Sequence, residues 1–170
     1  MKESKIDANG DAQCYPTMGC RATLTPWVDE NQKAKYYGRW NQGVVTLNLP
    51  YIALSAYGDE EVFWKKFDES LNLAYKALMV RHKHLRGIKS DAAPILWQHG
   101  AISRLKPGET IDEMLFGGYT TISLGFAGLY ECTQAMMGES HTDEEGKKFA
   151  LNVMNYMNEK TAEWKEKENI

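Results

Sequence analysis

Residues 16–50 read PTMGCRATLTPWVDENQKAKYYGRWNQGVVTLNLP, and the rest of the chain is organised around this stretch. It opens with a cysteine, Cys20, directly after Gly19. Glycine lets the backbone turn tightly there because it has no Cβ to clash in left-handed conformations. Pro16, Pro26 and the Asp29-Glu30-Asn31 cluster punctuate both sides, which predicts that Cys20 sits on a loop. The polar run over 29–35 predicts a hairpin tip. The stretch closes on VVTLNL at 44–49, rich in β-branched residues and ended by Pro50. That predicts a strand, with the apolar start suggesting burial on both faces. A cysteine on a loop carried by a rigid scaffold is a position where nucleophilic, metal or radical chemistry can be placed.

Working outward, a short apolar helix is expected over 51–56, and Asp59 is a natural N-cap for the next helix. From Glu60 to about Leu85, Phe63, Phe67, Leu71, Ala74 and Leu78 step by four, four, three and four, the stripe of an amphipathic helix. Its basic end, RHKHLR before Gly87, complements the negative helix C-terminus. A buried segment over 93–98 then leads to His99. Lys106-Pro107-Gly108-Glu109 reads as a turn, and Thr110 with Glu113 has capping-box spacing for a short helix to Phe116. YTTISL at 119–124 reads as a second buried strand and 125–137 as an apolar helix holding Cys132. Thr142 and Glu145 repeat the capping spacing before a last helix with a Phe149, Val153, Tyr156, Met157 stripe reaching towards Trp164. Alternating strand-like and helix-like segments favour an α/β arrangement. Two or three strands are few for such a sheet, and the chain stops directly after a helix. A partial domain cut from something larger is therefore expected.

The 170 residues suit one domain or a piece of one, and 43% apolar content allows a packed core. Net charge is −3 with no basic block, which argues against nucleic acid and against a polybasic membrane anchor. No apolar run approaches the roughly 18–20 residues that span a bilayer. The polar first 13 residues lack a signal-peptide core. Three cysteines without framework spacing fit a reducing compartment, so a cytoplasmic protein is expected.

Several residue types can carry chemistry. Cys20 is a small semi-buried thiol or a reactive one. Zinc is disfavoured, because Cys14 and Cys20 are separated by five residues and no second Cys/His pair has ligand spacing. A Cys/His nucleophile with His99 or His141 is conceivable, and a Cys14–Cys20 disulfide is allowed in principle. His99 reads as a hydrogen-bonded residue at a strand end, and His82 and His84 as solvated. Asn41, just before the strand, is a turn residue or a neutral donor–acceptor for a ligand. Cys132 reads as core; Tyr36, Tyr37 and Trp40 read as apolar cover.

The segments MGCRATLTPW (18–27), YYGRWNQGVVTLNLPYIAL (36–54), APILWQHGAISRLKPGETID (93–112), GGYTTISLGFAGLYE (117–131) and GESHTDEEGKKFAL (138–151) add what spacing cannot. In order and in register, from about Thr17 to the last residue, they resemble the anaerobic (class III) ribonucleoside-triphosphate reductases. That resemblance implies a partial ten-stranded α/β barrel of the glycyl-radical/ribonucleotide reductase type, with a cysteine finger loop and long amphipathic helices. It implies that Cys20, in MGCR, is the thiyl cysteine and that Asn41, in GRWNQG, hydrogen-bonds the substrate ribose. It further implies a glycyl radical installed by a radical S-adenosylmethionine activase with an iron–sulfur cluster, structural zinc, formate as reductant, and a homodimer in the full-length family.

The family's glycyl-radical segment, four-cysteine zinc site, nucleotide-binding cone and upstream redox-cysteine strand have no counterpart in these 170 residues. The SLYGTP-like segment ahead of the phosphate-binding helix is missing too, and Cys14 matches no family role. The expectation is a single partial domain over 1–170 that contributes the radical cysteine and cannot store the radical alone. A non-catalytic interaction module, a remnant of such an enzyme, is the alternative.

Overall fold

The structure is a computed structural model, and it describes Leu24, Trp27, Val28, Ala34, Lys35 and residues 38–168. The described residues are mixed α/β. Strands β1 (Trp27–Val28) and β2 (Ala34–Lys35) pair antiparallel, Trp27 with Lys35 and Val28 with Ala34, as the expected hairpin requires. Strand β3 (Trp40–Asn48) leads into helix α1 (Leu49–Ala56), and helix α2 (Glu60–His84) follows. A short helix α3 (Pro94–Trp97), strand β4 (Thr120–Ala127), helix α4 (Leu129–Met137) and helix α5 (Glu144–Glu168) complete the order.

β3 and β4 form a two-stranded sheet. The Trp40 amide donates to the Tyr119 carbonyl at 2.9 Å, while at the far end Gly125 lies against Val44 and Thr46. Both strands advance together, so the pair is parallel. A ten-stranded barrel is not present in the described residues, which hold this pair and the small hairpin.

The chain divides into two compact units. The first takes the described residues up to 42 and 82–122. Its core is Trp97, Ile111, Met114 and Leu115, with Trp40, Ile102, Leu105, Phe116 and Tyr119 packed on it. The second takes 43–81 and, among the described residues, 123–168. There the whole predicted α2 stripe, Phe63, Phe67, Leu71, Ala74 and Leu78, is buried. The first four of these pack with Leu47, Leu49, Ile52, Cys132, Phe149, Val153 and Met157 in one core. Asp59 caps α2 as expected, its carboxylate accepting from the Val62 amide at 3.0 Å. Asn48 does the same for α1 through the Tyr51 amide. The Tyr156 hydroxyl of α5 donates to Asp68 of α2 at 2.7 Å, and that bond raises the phenol above its ordinary pKa.

Four local expectations are corrected. β3 is not buried on both faces: Val44 is 51% exposed, and Leu47 is the strand's one buried residue. Residues 93–98 form no buried strand; they turn as α3, with Ile95 and Leu96 exposed and Trp97 alone buried. The 125–137 helix starts later, because β4 continues to Ala127 and Gly128 takes the left-handed N-cap position. Residues 112–115 are a 3₁₀ turn whose cap position is Ile111, without a side-chain cap from Thr110.

Candidate functional site

The two residues singled out for chemistry stand differently. Cys20, like Cys14, lies outside the described residues. Asn41 is the second residue of β3 and is half-buried.

Successive side chains of a strand point to opposite faces, so Asn41 is placed by its neighbours. Trp40 faces the first unit's core: its indole Nε1 donates to the Met114 carbonyl at 3.2 Å, and its ring meets Trp97 edge-on at 5.2 Å. Gln42, two residues on, shares that side, with its carboxamide nitrogen 3.0 Å from Nδ1 of His82. Asn41 therefore projects from the other face. Arg39 anchors the entry to the strand, its Nε donating to the Gly118 carbonyl at 2.8 Å, and burial lowers its guanidinium below the ordinary arginine range. The aromatic cover expected of Trp40 is what the packing uses.

Each unit packs on its own part of β3. Before Gly43 the even-numbered Trp40 and Gln42 make the packing contacts; after it Val45 and Leu47 pack on the second unit's core. Gly43 has φ +133°, which a residue with a Cβ rarely adopts.

His82 overturns its expectation. It is 3% exposed, not solvated, and the ring of Phe116 meets it edge-on at 5.2 Å. The signal was present in the sequence: the stripe 63, 67, 71, 74, 78 continues by four to 82. His84 is exposed as read, and so are His99, which is not at a strand end, and His141, which lies against the Tyr130 ring. Cys132 is core, and burial pushes its thiol up to about 12. Across the sheet, Thr120 at the start of β4 is buried, its hydroxyl without a hydrogen-bond partner among the described residues. Also among these residues, no three His, Cys, Asp or Glu side chains are grouped to hold a metal ion.

What this part of β3 offers is a neutral carboxamide on a strand, held from behind by aromatic packing and a buried amide–imidazole contact. Such a group presents a donor and an acceptor without charge. Comparison with known proteins identifies the setting. The chain is 41% identical over 152 residues to the anaerobic ribonucleoside-triphosphate reductases of Salmonella typhimurium and Escherichia coli, covering 88% of this chain and 21% of each relative. It is 37% identical over 155 residues to the enzyme of the same name from Enterobacteria phage T4, of which it covers 24%. The chain thus spans between a fifth and a quarter of these relatives' length. With the family's pattern matched from residue 2 to residue 170, Asn41 and its strand included, the chain belongs to the anaerobic ribonucleoside-triphosphate reductase family.

Proposed function

We propose that this chain is a single partial domain, over 1–170, from the catalytic barrel of an anaerobic ribonucleoside-triphosphate reductase. In that barrel, β3 and β4 are two adjacent strands of the ten. The activity is reduction of ribonucleoside triphosphates to deoxyribonucleoside triphosphates, which supplies DNA synthesis. The observation that carries the reading is the unbroken family match from residue 2 to residue 170. The cytoplasm is the proposed location; among the described residues no helix is long and apolar enough to cross a membrane.

In this reading Cys20 is the sulfur that takes the hydrogen atom from ribose C3′, gaining an S–H bond and leaving the sugar radical. Asn41 holds the ribose hydroxyls while the 2′-hydroxyl departs as water. A strand-borne carboxamide suits that task, because it orients hydroxyls without a competing charge. A glycyl radical, installed elsewhere in the protein by a radical S-adenosylmethionine activase, supplies the oxidising equivalent. Formate is the proposed reductant, and the full-length protein is proposed to be a homodimer.

A second reading, a non-catalytic interaction module, draws support from large apolar side chains left exposed. Tyr51, Leu54, Leu73 and Ile95 are 66–74% exposed. One experiment separates the two. The purified chain is mixed anaerobically with the remaining part of the family protein, the activase, S-adenosylmethionine and formate, and deoxynucleotide formation is assayed. Activity that vanishes with Cys20→Ser supports the reductase and the role of the cysteine. Inactivity of a mixture shown to be folded and associated supports the interaction module, and activity that survives Cys20→Ser overturns the assignment of Cys20.

A further inference from the structure

Residues 41 and 42 are Asn and Gln, two carboxamides in succession that differ by one methylene. On a strand they face opposite sides, and a slip of one residue exchanges them. The wrong carboxamide would then stand on the outward face, and its amide group would lie one C–C bond further from the backbone. Backbone pairing alone does not distinguish the two registers, so the side chains on the packed face must, Trp40 in the core and Gln42 beside it.

The Gln42–His82 contact takes part in this selection. His82 is buried, and both amide atoms of Gln42 lie near its Nδ1, Nε2 at 3.0 Å and Oε1 at 3.3 Å. The closer approach is an amide N–H donated to the lone pair of a neutral imidazole; with the amide rotated, Nδ1–H donates to Oε1 instead. Either way the bond requires a side chain that reaches from β3 to the ring. The ring is framed by the edge-on contact with Phe116, which also carries the Arg86 guanidinium over its face at 5.2 Å. For stability alone a well-packed apolar pair serves as well or better, because burying polar groups costs what their hydrogen bond returns. A directional polar pair adds selectivity of register.

We infer that Gln42 and His82 form a positioning pair that, with Trp40 packed on the same side of β3, holds Asn41 on the substrate side and so aims it. The inference rests on the reading of Asn41 as the ribose-binding residue. Its main test does not use substrate. In the full 170-residue chain, labelled with ¹⁵N in its Asn and Gln side chains, the carboxamide signals are followed by NMR. His82→Phe keeps a ring against Phe116 and removes the bond; His82→Asn places an amide where Nδ1 stands. With His82→Phe, the Gln42 amide protons are expected to exchange about fivefold faster, the factor that one hydrogen bond's net worth implies. The Asn41 signals should shift as well, and His82→Asn should restore both. Asn41 signals unchanged by His82→Phe would overturn the inference. If that variant fails to fold, Gln42→Met removes the same bond from the strand side and is read in its place.

In the reconstituted reductase, His82→Phe is expected to lower kcat/KM by roughly ten- to a hundredfold, the scale of a small misplacement at a reacting centre. His82→Asn should recover most of that loss. Turnover indifferent to Asn41→Ala would sink the ribose reading and leave the positioning pair to be decided by the carboxamide signals.

Discussion

At Gly43 the backbone φ is +133°. A Cβ placed there would meet Arg81 Nη1 at 2.2 Å. That atom is the end of a flexible, exposed side chain, and its bond to the Val44 carbonyl is long at 3.3 Å, so Arg81 can swing away at small cost. The dihedral cannot be relieved so easily. Gly43→Ala is therefore expected to destabilise the chain by about 1–3 kcal/mol through backbone strain, read as a lower urea midpoint at unchanged slope. An unchanged midpoint would mean that β3 takes a Cβ at this dihedral without strain. The sequence shows a glycine at 43 but not its dihedral, because glycine in a strand pattern marks a bulge, a bend or a close approach equally well. His82 was the opposite case: its position on the stripe was legible, but its company of basic residues suggested solvent.

Among the elements, the long helices were the most legible. α2 was expected over 60–85 and runs Glu60–His84, because a stripe that repeats from Phe63 to Leu78 leaves little choice of phase. The short apolar runs at 93–98 and 125–127 have no such repeat, and tertiary contacts settled them otherwise. At the start of α5, helix propensity and packing make opposite predictions for one residue. Gly146 lies in the first turn, where Ala is the better helix former by about 1 kcal/mol. Yet a Cβ on Gly146 would stand 2.1 Å from the Ser140 carbonyl oxygen and 3.1 Å from Thr133 Cγ2. The nearer atom is backbone, in a turn fixed by the Ser140 amide donating to Asp143 at 3.0 Å. It cannot rotate aside, so packing prevails. Gly146→Ala is expected to lower stability by about 1–3 kcal/mol, the usual cost of overpacking, and a rise in melting temperature would contradict that.

For the whole molecule, the family and the roles proposed for Cys20 and Asn41 came from motif resemblance, whereas the exposed apolar surface came from the structure. Tyr51, Leu73 and Val80 are 70%, 69% and 59% exposed, in the unit where β3 has β4 as its one strand neighbour among the described residues. Burying such side chains gains about 1.5–3 kcal/mol each when complete, so roughly 3–6 kcal/mol for the exposed remainder of three. Bringing two separate molecules together costs about 4–15 kcal/mol in lost freedom. With both copies contributing, the gain of roughly 6–12 kcal/mol is of the same size as that cost, so self-association through this surface should be weak. A segment of the same polypeptide does not pay the full rigid-body cost, and the relatives are four to five times as long as the stretch they share with this chain. Leu73→Glu gives the two contexts opposite outcomes. In the 170-residue chain it should change unfolding free energy by no more than about 0.5 kcal/mol, as exposed substitutions do, and reduce any concentration-dependent sedimentation. In a chain extended to the family's full length it should destabilise by several kcal/mol, because a carboxylate would be buried without a partner. Equal effects in both would show that the remainder of the family's chain does not cover Leu73.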